Sequence, residues 1–229
     1  MYVPNHFAMT RDDVVELLTG MGAADLVTAH DHGLAATFLP MVFDPHAGAD
    51  GALLAHVTRT NRQWCDPVIG DALVIVHGAE HYISPRWLPS LAQTGLAVPT
   101  WNYVTAHAYG TLIAHDEPAW TLDVLRRLTA RHEPAYSLDQ VPSEFIDKLL
   151  PATVGVEIRL TRVVAKAKMS QNKMPAEVAG IIAGLSTEAH DTKAELTATW
   201  MQEHAVPHAE AREELLEQVA RDHGPKRTA

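Results

Sequence analysis

One cysteine, Cys65, stands in the 229 residues, so no disulfide can close within a single chain. No run approaches the ~18 consecutive apolar residues that a membrane helix needs. The opening MYVPNHFAMT has neither the basic start nor the apolar stretch of a secretory leader. These absences make a soluble, cytoplasmic protein the expectation. A Walker A sequence, a G-x-G-x-x-G after a strand and a G-x-S-x-G elbow are all missing, which removes support from the common nucleotide-binding and hydrolase folds. Positive charge is scarce too. Lys plus Arg number 18 against 28 Asp plus Glu, and the formal net charge of −10 repels a phosphate backbone. With no helix-turn-helix pattern and scattered basic residues, DNA binding ranks last among the functions considered.

What is present reads as a folded domain: 47% of residues are hydrophobic and 20% charged, far from the composition of a disordered chain. Thr10 followed three residues later by Asp13 caps a short helix in which Val14, Leu17, Leu18 and Met21 fall at helical spacing. The period then changes. ADLVTAH and LAATFLPMVFD, joined by DHG, read as a hairpin, and GALLAHVTRTN, DALVIVHG, EHYIS and residues 98–115 continue the β pattern. About six strands are therefore expected by residue 115. EPAWTLDVLRRLTARHE places Trp120, Val124, Leu125 and Leu128 on one helical face with Pro118 in the first turn, and SEFIDKLL is a second short helix. In TVGVEIRLTRVVAKAKMS, Val154, Val156, Ile158 and Leu160 share one strand face while Glu157, Arg159 and Thr161 share the other.

From about residue 175 the pattern is helical. It closes on a stripe of Ala211, Leu215, Leu216 and Val219 that suits a dimer clasp or a surface helix, and the final GPKRTA, 224–229, is expected to fray. This order predicts an α+β protein built round an antiparallel barrel, with residues 1–185 as the barrel domain and 186–229 as a helical extension.

Four places carry candidate chemistry. In VPTWNYVTAHAYG, residues 98–110, alternation puts Trp101, Tyr103, Thr105, His107 and Tyr109 on one side and Val104, Ala106 and Ala108 on the other. The small side suits a tight barrel interior; the aromatic side must meet a helix, a second subunit or a flat ligand. AHVTRTNRQW gathers His56, Arg59, Asn61 and Trp64. Arg59 suits a bidentate contact with phosphate or carboxylate, or a plain salt bridge. In a regular strand His56 and Arg59 face opposite ways, so a shared ligand requires a bulge or the strand end. AKAKMSQNK concentrates Lys166, Lys168, Ser170, Gln171, Asn172 and Lys173 beyond the last strand, as an anion cradle or as a solvated charge run. Fourteen histidines include no H-E-x-x-H and no Cys/His set at zinc spacing, so a zinc site is not expected. Haem iron on a single histidine needs no spacing motif, and His56 and His107 are the candidates.

Taken together, MYVPNHF, HVTRTNRQW, YISPRW, VPTWNYVTAHAYG and KAKMSQNK, in this order over most of residues 1–185, resemble the PaiB-type FMN-binding transcriptional regulators. The resemblance implies a split β-barrel related to the pyridoxamine-phosphate-oxidase-like flavoproteins, a homodimer, and a cofactor held at the subunit interface. Residue by residue it implies Arg59, Asn61, Trp101, Asn102, Lys168, Ser170 and Gln171 as cofactor or pocket residues; Tyr103, His56 and His107 join them from the strand reading. Two elements depart from the family pattern. A segment that commonly reads SPSWY with a lysine soon after is here SPRWLPSLAQTG, carrying Arg86, Leu88 and Leu91, and HVARxNPQW is here HVTRTNRQW. Similar proteins of natural-product pathways, the piperazate synthases, use the same scaffold for haem and form a nitrogen–nitrogen bond. Three functions follow: an FMN protein with a redox or flavin-responsive regulatory role, a haem b enzyme with a histidine axial ligand acting on a small molecule, and a DNA-binding repressor.

Overall fold

Thr10 sets the first helix, α1 (Arg11–Gly20). Its hydroxyl accepts the Asp13 N–H at 3.2 Å while its own N–H donates to the Asp13 carboxylate at 3.0 Å, so two of the helix's orphan groups are satisfied reciprocally. Six strands follow: β1 (Ala23–His30), β2 (Gly33–Pro40), β3 (Val42–Asp44), β4 (Ala52–Thr58), β5 (Ala72–Ile83) and β6 (Thr100–His115). The computed structural model describes residues 1–223, and the expected fraying at 224–229 lies outside the described residues. The strand count matches the sequence expectation, but the divisions differ. DALVIVHG and EHYIS form the single strand β5, whereas LAATFLPMVFD is broken at Met41. Met41 is wholly buried, and its N–H reaches the Gly22 carbonyl, continuing the β1–β2 register by one pair.

The remaining elements are α2 (Pro89–Thr94), α3 (Pro118–His132), α4 (Ser143–Leu149), β7 (Thr153–Lys168), α5 (Pro175–Gly184), α6 (Thr192–Trp200) and α7 (Val206–His223). The seven strands make one sheet in the order β2-β1-β5-β6-β7-β4-β3, and the β1–β2, β1–β5, β3–β4 and β4–β7 pairs are antiparallel. This is an α+β fold of the split-barrel class. Among the described residues no helix is long and apolar enough to cross a membrane.

The chain divides into two units, and β5, β6 and β7 each run from one into the other. The first comprises Met1, Met9–His77 and Thr105–Ala165; the second comprises Tyr2–Ala8, Gly78–Val104 and the chain from Lys166. In the first, alternate residues of each strand enter a core that includes Leu26, Val74, Ala106, Ala108, Val156 and Ile158, with Leu18 contributed by α1 and Met21 standing directly after that helix. The opposite face is divided. Over β4 and β7 it is covered by α3, whose Val124 and Leu128 pack on Ala52 and Leu54. Full burial of such a side chain is worth about 1.5–3 kcal/mol. Trp120 reaches further because Gly155 has no side chain: a Cβ there would overlap the indole. Over β2, β1 and β5 the same face is open. Phe38, Asp25 and Ile75 stand in one cross-strand row and Ala36, Val27 and Leu73 in the next, with Phe38 67% exposed.

In the second unit the Trp87 indole lies against Gly184 of α5 and the Trp87 carbonyl against Gly180, approaches that a Cβ at either glycine would block. Helices α5, α6 and α7 are joined through single wide turns at Leu185–Ala189 and Met201–Ala205. The apolar stripe expected on the last helix is exposed at Leu215, Leu216 and Val219.

Two stability effects follow from this packing. Gly155→Ala is expected to lower stability by roughly 1–3 kcal/mol, the usual cost of overpacking, and to lower the urea midpoint with little change in slope. An unchanged midpoint would show that the indole is free to move aside. The second effect concerns His56, which stands opposite Gly155 on β4 with its Nδ1 buried and unpartnered. Burial pushes its imidazole below the ordinary 6.5, so the folded state binds fewer protons than the unfolded chain in mild acid. The corresponding stability is intact above about pH 6.5 and declines as the pH falls toward the lowered folded value. His56→Phe is expected to flatten the decline in unfolding free energy between about pH 7 and about pH 5; equal slopes in both proteins would remove His56 as its source.

Candidate functional site

In the second unit, the start of β6 lies beside the end of β7. The Lys168 ammonium donates to the Thr100 hydroxyl and to the Trp101 carbonyl, both at 2.6 Å, which fixes the lysine and leaves one N–H uncommitted. Lys166 stands 5.5 Å above the Tyr103 ring and 5.9 Å from the Phe7 ring. Trp101 is 48% exposed, packs edge-on to Tyr82 with ring centroids 6.4 Å apart, and donates its indole N–H to Glu80 at 3.3 Å. Burial, followed by repulsion from Lys166 and Lys173, pulls the Lys168 ammonium below the ordinary lysine range. Among the described residues none of these three lysines has a carboxylate within salt-bridge reach. The cluster therefore carries an uncompensated positive field against a half-exposed aromatic surface.

Three other candidates in this unit face inward. Asn102 is fully buried, accepts the Ser170 hydroxyl at 3.0 Å and directs its amide at the Met201 sulfur, 3.5 Å away. Gln171 folds back on its own loop, accepting the Met169 N–H at 2.8 Å and donating to the Ala167 carbonyl at 2.6 Å. Ser170 sits at φ 63°, a backbone region that costs a non-glycine residue strain and that these hydrogen bonds hold in place. Asn102, Ser170 and Gln171 thus shape the loop that presents Lys168 and Lys173.

The remaining candidates belong to the first unit, and each has its own setting. Arg59 makes a bidentate pair with Asp116 and donates Nε to the Pro151 carbonyl at 2.6 Å, the salt-bridge alternative raised by the sequence. Its guanidinium in turn holds the Asp116 carboxyl below the usual range. Asn61 turns inward: its amide donates to Thr37 Oγ1 at 3.0 Å and its oxygen accepts the Gln63 N–H at 2.9 Å. The chain of bonds continues from the Thr37 hydroxyl to Gln63 Oε1 at 2.6 Å and from Gln63 Nε2 to Thr28 Oγ1 at 2.9 Å. His107 lies on the open face next to Tyr109, with ring centroids 6.5 Å apart, and burial followed by nearby positive charge lowers its pKa.

A charged group in the same unit escaped the sequence reading. His115 Nε2 lies 2.8 Å from the buried Glu157, which also accepts two N–H groups of Arg159 at 3.0 and 3.1 Å, while the Trp120 ring stacks on the imidazole at 3.9 Å. No local motif announces a pair 42 residues apart. Among the described residues no group of three or more metal-ligating side chains comes together.

A flavin mononucleotide asks for two things that the second unit supplies: cations for a phosphate, and aromatic surface for a fused planar ring. The lysine cluster and the Trp101–Tyr103 face fit both demands. The chain as a whole resembles known proteins. A 200-residue alignment relates 82% of this chain to 90% of the protease synthase and sporulation protein PAI 2 of Bacillus subtilis, at 28% identity. The uncharacterized yeast protein YKL070W of Saccharomyces cerevisiae is 34% identical over 106 residues, 45% of this chain and 62% of that protein, so the chain spans under two thirds of that relative's length. The flavocytochrome Anf3 of Azotobacter vinelandii shares the fold with a TM-score of 0.52, at 13% identity over 72% of each chain. The family model described as "Putative FMN-binding domain" matches residues 1–162, and the chain belongs to that FMN-binding family.

Proposed function

We propose that the face formed by Trp101, Tyr103, Lys166 and Lys168 holds FMN, and that the protein serves a redox or flavin-responsive regulatory role. The observation that carries this reading is the unpaired lysine cluster beside exposed aromatic rings. A bound phosphate relieves the repulsion among Lys166, Lys168 and Lys173, so binding recovers energy that the free protein gives up in holding three ammonium groups together. Lys168, already fixed by Thr100 and Trp101, offers its remaining N–H at little cost in side-chain entropy. The flavin, when bound, supplies electron transfer, and the chain supplies orientation and electrostatics. A net charge of −10 argues against DNA as the direct ligand.

The open sheet face suits a second copy of this chain. Exposed apolar surface of this kind marks interaction sites, and Phe38, Ala36, Leu73 and Ile75 supply it here. A haem reading finds support in His107, which presents a neutral imidazole on that face with no hydrogen bond among the described residues, and in the flavocytochrome relative. His56 suits that reading less, because its Nδ1 is buried.

An absorption spectrum of the protein as isolated separates the readings: flavin bands support FMN, and a Soret band supports haem. Lys168→Glu is expected to weaken FMN binding by at least about tenfold, the worth of one charge-assisted hydrogen bond, while leaving riboflavin binding unchanged. Equal loss for both ligands would move the phosphate elsewhere. Light scattering is expected to give a dimer that Phe38→Asp converts to monomer; a monomeric parent protein would end the interface assignment.

A further inference from the structure

The first unit contains a cavity outside the lysine and aromatic face. The cavity, of about 400 Å³, opens between α1, the segment that follows β3, and β7 at Arg162. That volume lies within the roughly 300–1,000 Å³ of small-molecule pockets. Val14, Phe43 and Val163, which also pack on the core, give it an apolar floor, and Val15 and Pro45 extend the apolar wall. The wall is held by glycine. Gly48 and Gly51 have φ of 82° and 84°, and a Cβ on Gly51 would strike the Phe43 ring.

The charges around this cavity are unlike those elsewhere in the unit. Arg59, Arg62, Arg126, Arg127 and Arg159 are each paired with a carboxylate, and Arg131 donates to the Met21 carbonyl. Among the described residues of this unit, Arg11 and Arg162 have neither kind of partner, and both line the cavity. The Arg162 guanidinium sits 3.9 Å over the Tyr109 ring, which steadies it without consuming its N–H donors. The Thr10 hydroxyl oxygen accepts the Asp13 N–H in the helix cap. Asp50 is the one carboxylate lining the cavity, which leaves a local balance of one positive charge.

We propose that this cavity binds a small amphipathic monocarboxylate. The hydrocarbon tail covers Val14, Val15, Phe43 and Val163, and the carboxylate is met by Arg11 and Arg162. Asp50 repels a second negative group, so the site selects a monoanion over a dicarboxylate.

Calorimetric titration of the full chain with octanoate, octanamide and octanedioate tests this. Octanoate is expected to bind at least about tenfold more tightly than octanamide, as loss of charge-assisted hydrogen bonds dictates. Arg11→Ala and Arg162→Ala are expected to reduce octanoate affinity by about the same factor. Ala49→Trp, at the exposed rim, is expected to abolish octanoate binding while FMN binding persists. Asp50→Asn is expected to raise affinity for octanedioate, a gain that misfolding cannot produce. Equal binding of octanoate and octanamide, an octanoate titration unaffected by Ala49→Trp, or no heat of binding with any of the three would each overturn the proposal.

Discussion

Strand β6 carries the constraint on which the other features depend. Its inward positions include the fully buried Ala106 and Ala108, and at Gly110 they accept no side chain at all, because a Cβ would collide with the Arg159 carbonyl. A strand fixed so tightly on one face must carry its bulk on the other. Trp101, Tyr103, His107 and Tyr109 are accordingly directed outward, where two of the rings receive cations, Tyr103 from Lys166 and Tyr109 from Arg162. Close packing of the core thus leaves the larger aromatic residues of β6 on its outward positions.

Electrostatics sharpens that surface. The chain as a whole is acidic, yet β7 ends in Lys166 and Lys168, and burial, followed by repulsion from Lys166 and Lys173, already destabilises the charged form of Lys168. Net charge governs long-range encounters with extended polyanions, which this protein repels. A small phosphorylated ligand responds instead to the local field within a few ångströms, where three ammonium groups outweigh distant carboxylates. The same sequence therefore disfavours nucleic acid and favours a mononucleotide without contradiction.

Much of this was legible because alternation is a local property. The two faces of β6, the inward set Val154, Val156, Ile158 and Leu160 on β7, and the capping box of α1 all follow from residues a few positions apart. Other features depend on partners far along the chain. Beyond Leu160 the inward set of β7 passes from even to odd positions, with Val163 on the core and Ala165 and Ala167 buried, and this shift brings Lys166 and Lys168 onto the aromatic side. Nothing in AKAKMSQNK announces it. Likewise, the burial of Asn102 and Ser170 depends on Met201, 99 residues from Asn102, and the engagement of Arg59 depends on Asp116, 57 residues away. A sequence motif marks such residues as important without saying whether they face a ligand or the protein's own interior.

The TRTN element shows how energetics separates those two roles. Arg59 and Asn61 stand two positions apart and both have protein partners. Arg59 pairs with Asp116 in the open, its side chain 39% and that of Asp116 59% exposed, where an ion pair contributes little because water serves both charges nearly as well. Its fork can exchange the carboxylate for a phosphate without leaving a buried group unsatisfied. Asn61 feeds a chain of bonds that ends on the buried Gln63 and Thr28, and removing it would orphan polar atoms at a cost of about 1–3 kcal/mol each. Of the two, only Arg59 is free to turn toward an anion, while Asn61 holds the loop that positions it.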